Sequence, residues 1–555
     1  MLLHYHKLLL LLLCAAVGIG QAKTVDVSWD IQQLMVNRDG YSMRKAVGVN
    51  GKLPIPPVYL DKGDTIALHV HNSLTMPTSV HFHGMFQNNT VYNDGAGMVS
   101  QCGIPPGANF TYRVTPDQQE GTYWVHGHYH DQNADGLRAP FIIRDPKEPL
   151  AAGYDDEYLF SLEDWYPESF ADRMNIVLDP HGPFPPAPSF PYALINGYNG
   201  NDTRPIRFEA GRRYRIRVIN MSLTEWFRFS MPGHKLSVIE VEGVRAEPYE
   251  VDGFDLGPAQ RYSAIVEAKE TDDYNYVYNA TLYANFVPFL RGMNPRTYLG
   301  IIDYGRANAP TIAPPRASDS DIEWADDIKM RSGDAEALLE PVNTHVKLKA
   351  TSAKFSDGVV RAILDKAPYN ATLLRVPTLF SAMTTGDLAT NPVIYGVQTQ
   401  PHVLNHLDVV EVEIQNPTDI DHSFHLHGHT FQVVEYGPGD GANLTKTHVS
   451  PVVRRSSNTP MKRDTLVVRT GEYIKIRFRA DNPGVWLFHC HMDVHFAMGL
   501  AITFIEAPRV LQERMDLPLS LVNMCRAQGL AVSGNAAGNE GLDLTGLPAE
   551  PSFYR

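Results

Sequence analysis

Four histidine pairs of the form His-x-His are the residues of this sequence best suited to chemistry. Alternate residues of a β-strand point to the same face, so each pair offers two imidazoles side by side. Imidazole is a ligand for zinc, copper, iron and nickel. Together the pairs provide more ligands than the four that a zinc site takes. They are His81 and His83, His126 and His128, His425 and His427, and His489 and His491.

The last pair encloses a cysteine, Cys490, which points to the opposite face of the strand from its two neighbours. His422 differs in parity from His425, and His495 follows the cysteine by five residues. Two histidines and one cysteine form the trigonal ligand set of a blue-copper site. We predict such a site at His422, Cys490 and His495, with Leu500 in the axial position.

A repeated pattern frames these residues. Before each of Asn72, Asn220 and Asn416, apolar residues fall at offsets of minus six, minus four and minus two. Period-two alternation of this kind predicts a half-buried β-strand, and the asparagine ends that strand at a turn. The chain therefore contains three similar β-rich units.

The units differ in the residues that come after the asparagine. Nine and eleven residues after Asn72 and after Asn416 stand two of the histidine pairs, whereas the same offsets after Asn220 give Phe229 and Met231. We interpret the first and third units as metal-binding and the middle unit as a spacer or wall.

Turn signals throughout, and the lack of a convincing long amphipathic helix, favour an all-β fold of three consecutive β-sandwich domains. We place these domains at residues 24–147, 148–306 and 346–528. The segment 307–345 is rich in proline, alanine and acidic residues and is interpreted as a linker. Residues 529–555 are rich in small residues without periodicity, so a disordered tail is expected.

Residues 1–22 have the pattern of a secretory signal peptide. Basic Lys7 is followed by an apolar run from Leu8 to Gly18 and by a small-residue cleavage site at 20–22. The run is shorter than the roughly 20 apolar residues that a membrane span needs. We expect a secreted protein without a membrane span.

The cysteines divide by position. Cys14 leaves with the signal peptide and Cys490 lies within its histidine pair, so Cys102 and Cys525 remain. An oxidising compartment favours pairing these two, and the bridge would tie the C-terminal segment to the first domain.

Charge argues against one class of partner. The chain has 48 Lys and Arg residues against 62 Asp and Glu residues, a formal net charge of −14. Such an acidic chain is poorly suited to a polyphosphate, so nucleic-acid binding is not expected. We expect a monomer that acts on a small molecule.

Asn-x-Ser/Thr sequons are candidate glycosylation sites in a secreted chain, although each is a weak signal by itself. They begin at Asn88, Asn109, Asn201, Asn220, Asn279, Asn370 and Asn443.

The segments HFHG, WVHGH, HSFHLHGH and HCHMDVHFAMGL resemble the four copper-binding motifs of the three-domain multicopper oxidases, which include laccases, ascorbate oxidases and fungal-type ferroxidases. The resemblance runs over nearly the whole mature chain. It implies three cupredoxin-like Greek-key domains and four copper ions per chain.

Matching motif to motif implies a ligand set for each copper. Every position of the family pattern is filled, which argues against a non-catalytic copper-binding or adhesion protein. The set is His422, Cys490 and His495 for the type 1 copper, His81 and His425 for the type 2 copper, His83, His126 and His491 for one type 3 copper, and His128, His427 and His489 for the other.

The resemblance also implies a mechanism and a bridge. Cys490 passes single electrons through the backbone to its two histidine neighbours, and dioxygen is reduced to water at the three-copper cluster. Asp94 and Asp493 fall where the family places its proton-handling carboxylates, and Cys102 with Cys525 matches the family's disulfide.

Segments such as VPTLFSAMTTGDL are most similar to the ferroxidase-like branch, whose iron-oxidising members use three carboxylates near the type 1 site. Asp387 matches one of these carboxylates, but the second falls near Pro188 and the third near Val287 and Pro288, where no acid stands. A hard cation prefers several oxygen ligands, so one carboxylate makes a poor iron site. The C-terminal membrane segment of iron-uptake members is also missing.

Phenylalanines in the same two loops suit an aromatic ring instead, although they are equally well explained as ordinary core residues. We therefore expect a laccase-like oxidase of phenols or naphthols, of the kind that serves fungal pigment or secondary-metabolite pathways. A secreted ferroxidase that oxidises Fe(II) to Fe(III) is the alternative. The phenylalanines are Phe184, Phe190, Phe286 and Phe289.

Overall fold

The computed structural model describes residues 22–548, except 117, 130–131, 146, 149–152, 183–190, 272, 284–294, 307, 312–321 and 441–451. Three pairs of β-sheets follow one another along this part of the chain. The expectation of an all-β fold with three cupredoxin-like units is confirmed. The exact domain boundaries remain predictions.

The first unit pairs a four-stranded sheet of order β2-β1-β4-β6 with a second of order β3-β8-β7-β5. Its buried positions alternate along β6, as expected for a strand with one face on a core. The strands are β1 (Thr24–Val36), β2 (Arg44–Val49), β3 (Val58–Asp61), β4 (Thr65–Asn72), β5 (Val80–His83), β6 (Asn109–Val114), β7 (Gly121–Gly127) and β8 (Arg138–Arg144).

The middle unit has a seven-stranded and a five-stranded sheet. One helix, α1 (Phe170–Val177), begins at Ser169, whose side chain accepts the backbone N–H of Asp172 as an N-cap. The strands are β9 (Asp156–Trp165), β10 (Tyr192–Ile195), β11 (Tyr198–Asn199), β12 (Ile206–Arg207), β13 (Arg213–Asn220), β14 (Trp226–Ser230), β15 (Leu236–Val241), β16 (Val244–Val251), β17 (Gly253–Leu256), β18 (Arg261–Glu267), β19 (Tyr276–Tyr283) and β20 (Arg296–Asp303).

The third unit has a six-stranded sheet, a five-stranded sheet of order β24-β33-β32-β26-β30, and a short hairpin. Its strands are β21 (Thr344–Lys349), β22 (Thr351–Lys354), β23 (Val360–Ile363), β24 (Pro401–Leu404), β25 (Val409–Gln415), β26 (His422–Leu426), β27 (Phe431–Pro438), β28 (Arg454–Arg455), β29 (Lys462–Arg463), β30 (Thr465–Val468), β31 (Glu472–Arg479), β32 (Gly484–Cys490) and β33 (Ala501–Glu506). Its helices are α2 (Thr378–Thr384), α3 (Asp493–Ala497), α4 (Pro508–Arg514) and α5 (Leu519–Ala527).

The three asparagines of the repeat have the same role in every unit. Asn72, Asn220 and Asn416 are at most 1% exposed. Each side-chain amide donates to two backbone carbonyls and each side-chain oxygen accepts a backbone N–H two residues on. The asparagine therefore fixes the turn that leads into the next strand, β5, β14 or β26.

The disulfide joins Cys102 to Cys525, with the two Cα atoms 5.6 Å apart. Cys525 lies near the end of α5, and Gln528 just beyond that helix donates to the carbonyl of Gly103. The C-terminal helix is thereby held against the first unit.

The expected disordered tail differs from the structure over residues 529–548. Ala536 is buried and exchanges backbone hydrogen bonds with Arg375 and Ile394. The Asn535 side chain donates to two carbonyls further along the tail. Small residues without periodicity can thus be ordered by backbone hydrogen bonds to a neighbouring segment, which no apolar pattern reveals.

No helix in the described ranges has the length and apolar character needed to cross a bilayer. The predicted signal peptide lies outside the described residues.

Candidate metal centre

Four strands bring the histidine pairs together. Register pairs His81 with His126 between β5 and β7 in the first unit, and His425 with His489 between β26 and β32 in the third. All eight imidazoles of the pairs are at most 9% exposed. Rings from the two units face each other, because His83 stacks on His425 with their centroids 3.7 Å apart. The cluster therefore lies between the first and third units.

The structure groups the imidazoles into triads whose nitrogen atoms lie within 4.8 Å of one another. Two of these triads coincide with the sets that the family resemblance implied for the type 3 coppers. His83, which belongs to one of them, also forms a third triad with the type 2 candidates. The groups are His83, His126 and His491; His128, His427 and His489; and His81, His83 and His425.

Three rings have the same tautomer. The Nδ1 atoms of His81, His126 and His425 lie 2.7–3.0 Å from the backbone carbonyls of Asp94, Gly127 and Asp464. A carbonyl only accepts, so each Nδ1 carries the proton and each Nε2 keeps its lone pair. These Nε2 atoms are buried without a hydrogen-bond partner. Buried lone pairs that converge on one space are suited to a cation.

His427 and His489 also turn unprotonated Nε2 atoms toward each other, at a short distance. Nδ1 of His427 faces the carboxylate of Asp94 at 3.0 Å, and Nδ1 of His489 faces the carbonyl of Cys490 at 3.0 Å. Both Nε2 atoms therefore carry lone pairs, yet they lie 3.2 Å apart. Burial also lowers the pKa of His427 to about 3, which keeps the ring neutral. A cation between the two nitrogens would relieve the repulsion of their lone pairs.

Asp94 is completely buried between two imidazoles. Its carboxylate lies 3.2 Å from His81 Nδ1 and 3.0 Å from His427 Nδ1. Burial acts to raise the pKa of this carboxyl, but His427 and then His81 hold it well below its ordinary value. Asp94 therefore orients one ring from each outer unit.

Cys490, His422 and His495 form a separate group on the other face of β32. The Cys490 Sγ lies 3.6 Å from Nδ1 of each histidine, and these two nitrogens are 3.0 Å apart. Burial raises the pKa of the Cys490 thiol to about 12, so only a bound metal would hold it as a thiolate. Leu500 is 1% exposed, and its carbonyl accepts the Cys490 N–H at 3.0 Å.

Asp493 lies beside the cluster at the start of α3. Its Oδ2 accepts from Asn133 Nδ2 at 2.6 Å, and its backbone N–H donates to Leu223 of the middle unit. With His128 and Phe496 it lines a cavity of about 260 Å³. The carboxylate and one imidazole of the cluster therefore border the same cavity.

Sequence reasoning missed Asp464 and Arg261. Asp464 Oδ1 lies 3.2 Å from His83 Nε2, and Arg261 from the middle unit makes two hydrogen bonds to the same carboxylate. His83 and Asp464 are 381 residues apart in sequence, so no local spacing connects them.

The expected substrate residues are mostly not positioned. Asp387 lies in the short 3-10 helix Gly386–Thr390, its side chain is 86% exposed, and Arg509 Nε lies 3.0 Å from it. The positions where iron-oxidising members have their second and third carboxylates, Pro188, Val287 and Pro288, fall outside the described residues. The predicted aromatic rim of Phe184, Phe190, Phe286 and Phe289 also falls outside them.

The candidate glycosylation sites differ in exposure. Asn88, Asn109 and Asn201 are exposed, and Asn279 is half-buried. Asn220 and Asn370 are buried, and both Asn220 Nδ2 hydrogens already bind carbonyls. A glycan at Asn220 would break the asparagine turn of the middle unit, which differs from the sequence-based expectation. Asn443 lies outside the described residues.

Family models described as multicopper oxidase match residues 30–148, 156–305 and 371–510 of this chain. The iron multicopper oxidase fer1 of Mycosarcoma maydis is 37% identical over 573 residues, which cover 98% of this chain and 90% of that protein.

Solved structures of an iron-import oxidase and of a laccase are both similar to this chain. The crystal structure of Fet3p, a multicopper oxidase that functions in iron import, has a TM-score of 0.85 and 30% identity, and the match covers 95% of this chain and 99% of that one. The laccase from Botrytis aclada has a TM-score of 0.70 and 25% identity, and its match covers 92% of each chain.

These similarities contradict the expectation of a laccase-like phenol oxidase. The full-length relative fer1 and the Fet3p structure are named for iron, and the laccase is less similar to this chain in both sequence and structure. The expectation rested on loops in which no residue position is described, so counting from distant motifs misjudged the substrate. A role in pigment or secondary-metabolite formation has no support either.

Proposed function

Because this chain belongs to the multicopper oxidase family, we propose that it is a ferroxidase that takes electrons from ferrous ion. It is a copper-dependent oxidoreductase with dioxygen as the electron acceptor. The observation that carries the proposal is the 37% identity to an iron multicopper oxidase over 98% of the chain.

The proposal assigns the copper ligands as the family motifs imply, and the converging lone pairs of the buried imidazoles support it. The assignment is His422, Cys490 and His495 for the type 1 copper, His81 and His425 for the type 2 copper, and His83, His126, His491 with His128, His427, His489 for the type 3 pair.

When bound, the coppers accept single electrons from the donor and deliver four of them to dioxygen, which becomes water. The polypeptide supplies the connection, because His489, Cys490 and His491 are consecutive and their side chains reach opposite faces of β32. The two sites are therefore joined by covalent bonds. Burial of all three residues excludes water from this connection.

The four protons consumed in water formation come from solvent and would be relayed by carboxyl groups next to the cluster. Asp493 lies on the cavity that borders His128, and it holds a hydrogen bond from Asn133 at Oδ2. Asp94 is sealed from solvent and accepts hydrogen bonds from two rings, from His427 Nδ1 at its carboxylate and from His81 Nδ1 at its backbone carbonyl. We assign delivery from the cavity to Asp493 and orientation of the rings to Asp94.

The imidazoles of the type 1 group would receive the electrons, because within that group only they are reached by solvent. Cys490 is fully buried, whereas His422 and His495 are 4% and 5% exposed. Two exposed carboxylates lie on nearby segments: Asp387 follows α2, which packs on β32, and Asp419 stands three residues before His422. Carboxylate oxygens are ligands that a hard cation prefers.

The proposed compartment is extracellular. An oxidising compartment preserves the disulfide between Cys102 and Cys525, and the predicted signal peptide is the route to it.

Oxygen uptake with ferrous ion and with a naphthol tests the donor. We expect a higher kcat/KM for ferrous ion, and loss of uptake with both donors in Cys490→Ser. A higher kcat/KM for the naphthol would contradict the proposal.

A substitution tests the carboxylate contribution. Asp387→Asn should raise KM for ferrous ion several-fold and leave the visible spectrum unchanged, because an exposed carboxylate contributes about 1 kcal/mol or less. The matched control is Asp202→Asn, an exposed acid of the middle unit, which should not change KM. Equal KM values for the two variants would remove Asp387 from the donor site.

A further inference from the structure

Arg261 belongs to the middle unit, which has no copper ligand among its described residues, yet it reaches the cluster. The residue begins β18 and its side chain is fully buried. Nε donates to the carbonyl of Thr122 in the first unit at 3.1 Å, and Nη1 donates to Ala259 at 3.1 Å. The guanidinium makes two further hydrogen bonds, of 2.7 and 2.6 Å, to the carboxylate of Asp464 in the third unit. Arg261 thus contacts all three units.

Asp464, which binds the Arg261 guanidinium, also contacts two candidate copper ligands. Its Oδ1 lies 3.2 Å from His83 Nε2, so His83 donates its Nε2 proton and keeps its lone pair on Nδ1. Nδ1 of His83 is buried and has no hydrogen-bond partner. The backbone carbonyl of the same Asp464 accepts from His425 Nδ1 at 2.9 Å. One residue therefore fixes the tautomer of a ring from each outer unit.

The ion pair of Arg261 with Asp464 lies close to the backbone of Gly84. Gly84, directly after His83, has a φ of +88°, and a Cβ built there would lie 2.7 Å from Asp464 Oδ2 and 2.9 Å from Arg261 Nη2. A glycine at this position lets the carboxylate and the guanidinium approach the backbone of the ligand strand.

A simpler role for Arg261 is to hold the units together, as another buried arginine does. Arg38 makes a two-pronged ion pair with Glu163 between the first and middle units. Glu163 is paired with arginines, whereas Asp464 contacts both His83 and His425. The two arginines are alike in burial and charge, but only Arg261 contacts a carboxylate that faces candidate copper ligands. A comparison of the two therefore distinguishes holding the units together from positioning the ligands.

We infer that Arg261 is a positioning residue for the type 2 copper and for one type 3 copper, acting through Asp464. The inference rests on the ligand assignment under the proposed function, and not on the identity of the electron donor. Because the guanidinium presents two parallel N–H groups, lysine cannot replace it at a two-pronged contact. Residues that orient metal ligands typically change metal affinity by about 10- to 100-fold when they are replaced.

The test compares Arg261→Lys with Arg38→Lys in the full-length copper-loaded protein. The readouts are copper content per chain, the type 2 EPR signal during titration with a chelator, and the thiolate-to-copper absorption of the type 1 site. We expect Arg261→Lys to lose its type 2 signal at a chelator concentration about 10- to 100-fold lower than the wild type needs, with its type 1 absorption unchanged. Arg38→Lys should titrate like the wild type.

Equal titration curves for the two variants would overturn the inference. If Arg261→Lys yields too little folded protein, the double variant Arg261→Gln with Asp464→Asn removes both charges and leaves no unpaired buried ion. That variant should show the same early loss of the type 2 signal, and a wild-type curve would overturn the inference. A wild type without type 2 copper would instead refute the ligand assignment.

Discussion

The outer units and the middle unit share a scaffold and differ in chemistry. All three place a buried asparagine at the same turn, with the same two hydrogen bonds to carbonyls. Beyond that turn, the third unit has His425 and His427 where the middle unit has Phe229 and Met231, and all four side chains are buried. The third unit therefore supplies two imidazoles to the candidate metal centre at the positions where the middle unit supplies two apolar side chains to its own core.

Packing follows the same division. Buried apolar residues of the first and third units form one continuous cluster, whereas most of the middle unit has a core of its own. In that core the Phe229 ring packs 4.9 Å from Phe160 and 6.2 Å from Tyr278. An aromatic ring at the position of a ligand therefore serves the core of its own unit.

The largest expected effect comes from giving the third unit the residues of the middle one. His425→Phe together with His427→Met removes one type 2 and one type 3 ligand, so oxygen reduction should fall to background. The type 1 absorption should persist, since Cys490, His422 and His495 are untouched. Oxygen uptake and visible spectra measure both effects.

The reverse exchange is the matched control for that variant. Phe229→His together with Met231→His should add no copper, because two imidazoles on one strand provide only half of a site. An additional copper bound tightly in the middle unit would break the comparison.

Removal of copper should destabilise the units unequally. A ligand that binds only the folded state adds about 4 kcal/mol at a thousandfold excess over its dissociation constant. Hydrogen exchange after chelation should therefore speed up in β5, β7, β26 and β32, and stay unchanged in β14. An equal increase of the hydrogen-exchange rate in all five strands would contradict the claim that copper is bound by the first and third units and not by the middle unit.

The smallest effect concerns the shared scaffold. Asn72→Ala, Asn220→Ala and Asn416→Ala each remove two hydrogen bonds from the side-chain amide to backbone carbonyls, which should cost about 1–3 kcal/mol. Thermal unfolding should show similar losses for all three. Only the first and third substitutions should alter the copper EPR spectrum, and a spectral change in Asn220→Ala would mean that the middle unit shapes the site through this turn.

Some of this arrangement was predictable from sequence because it depends on local spacing. The period-two rule places His489 and His491 on one face and Cys490 on the other, and the copper cofactor and the family follow from those motifs. Pairing of Cys102 with Cys525 followed from elimination of the other cysteines and from the family resemblance.

Other features depend on contacts between distant segments. Arg261 meets Asp464 across 203 residues, and no motif spacing records that contact. Order in residues 529–548 comes from backbone hydrogen bonds, which do not depend on the type of side chain and so leave no pattern in the sequence. The substrate was misjudged because it was inferred from loop residues counted from distant motifs, and loops vary in length.

The central claim is that copper binds where imidazoles of the first and third units meet and on the far face of β32, and not in the middle unit. Anomalous diffraction at the copper edge from crystals of the loaded protein tests it most directly. The account predicts one peak among Cys490, His422 and His495, three peaks among the eight paired imidazoles, and none in the middle unit. A copper peak beside Phe229, or no peak at Cys490, would contradict it.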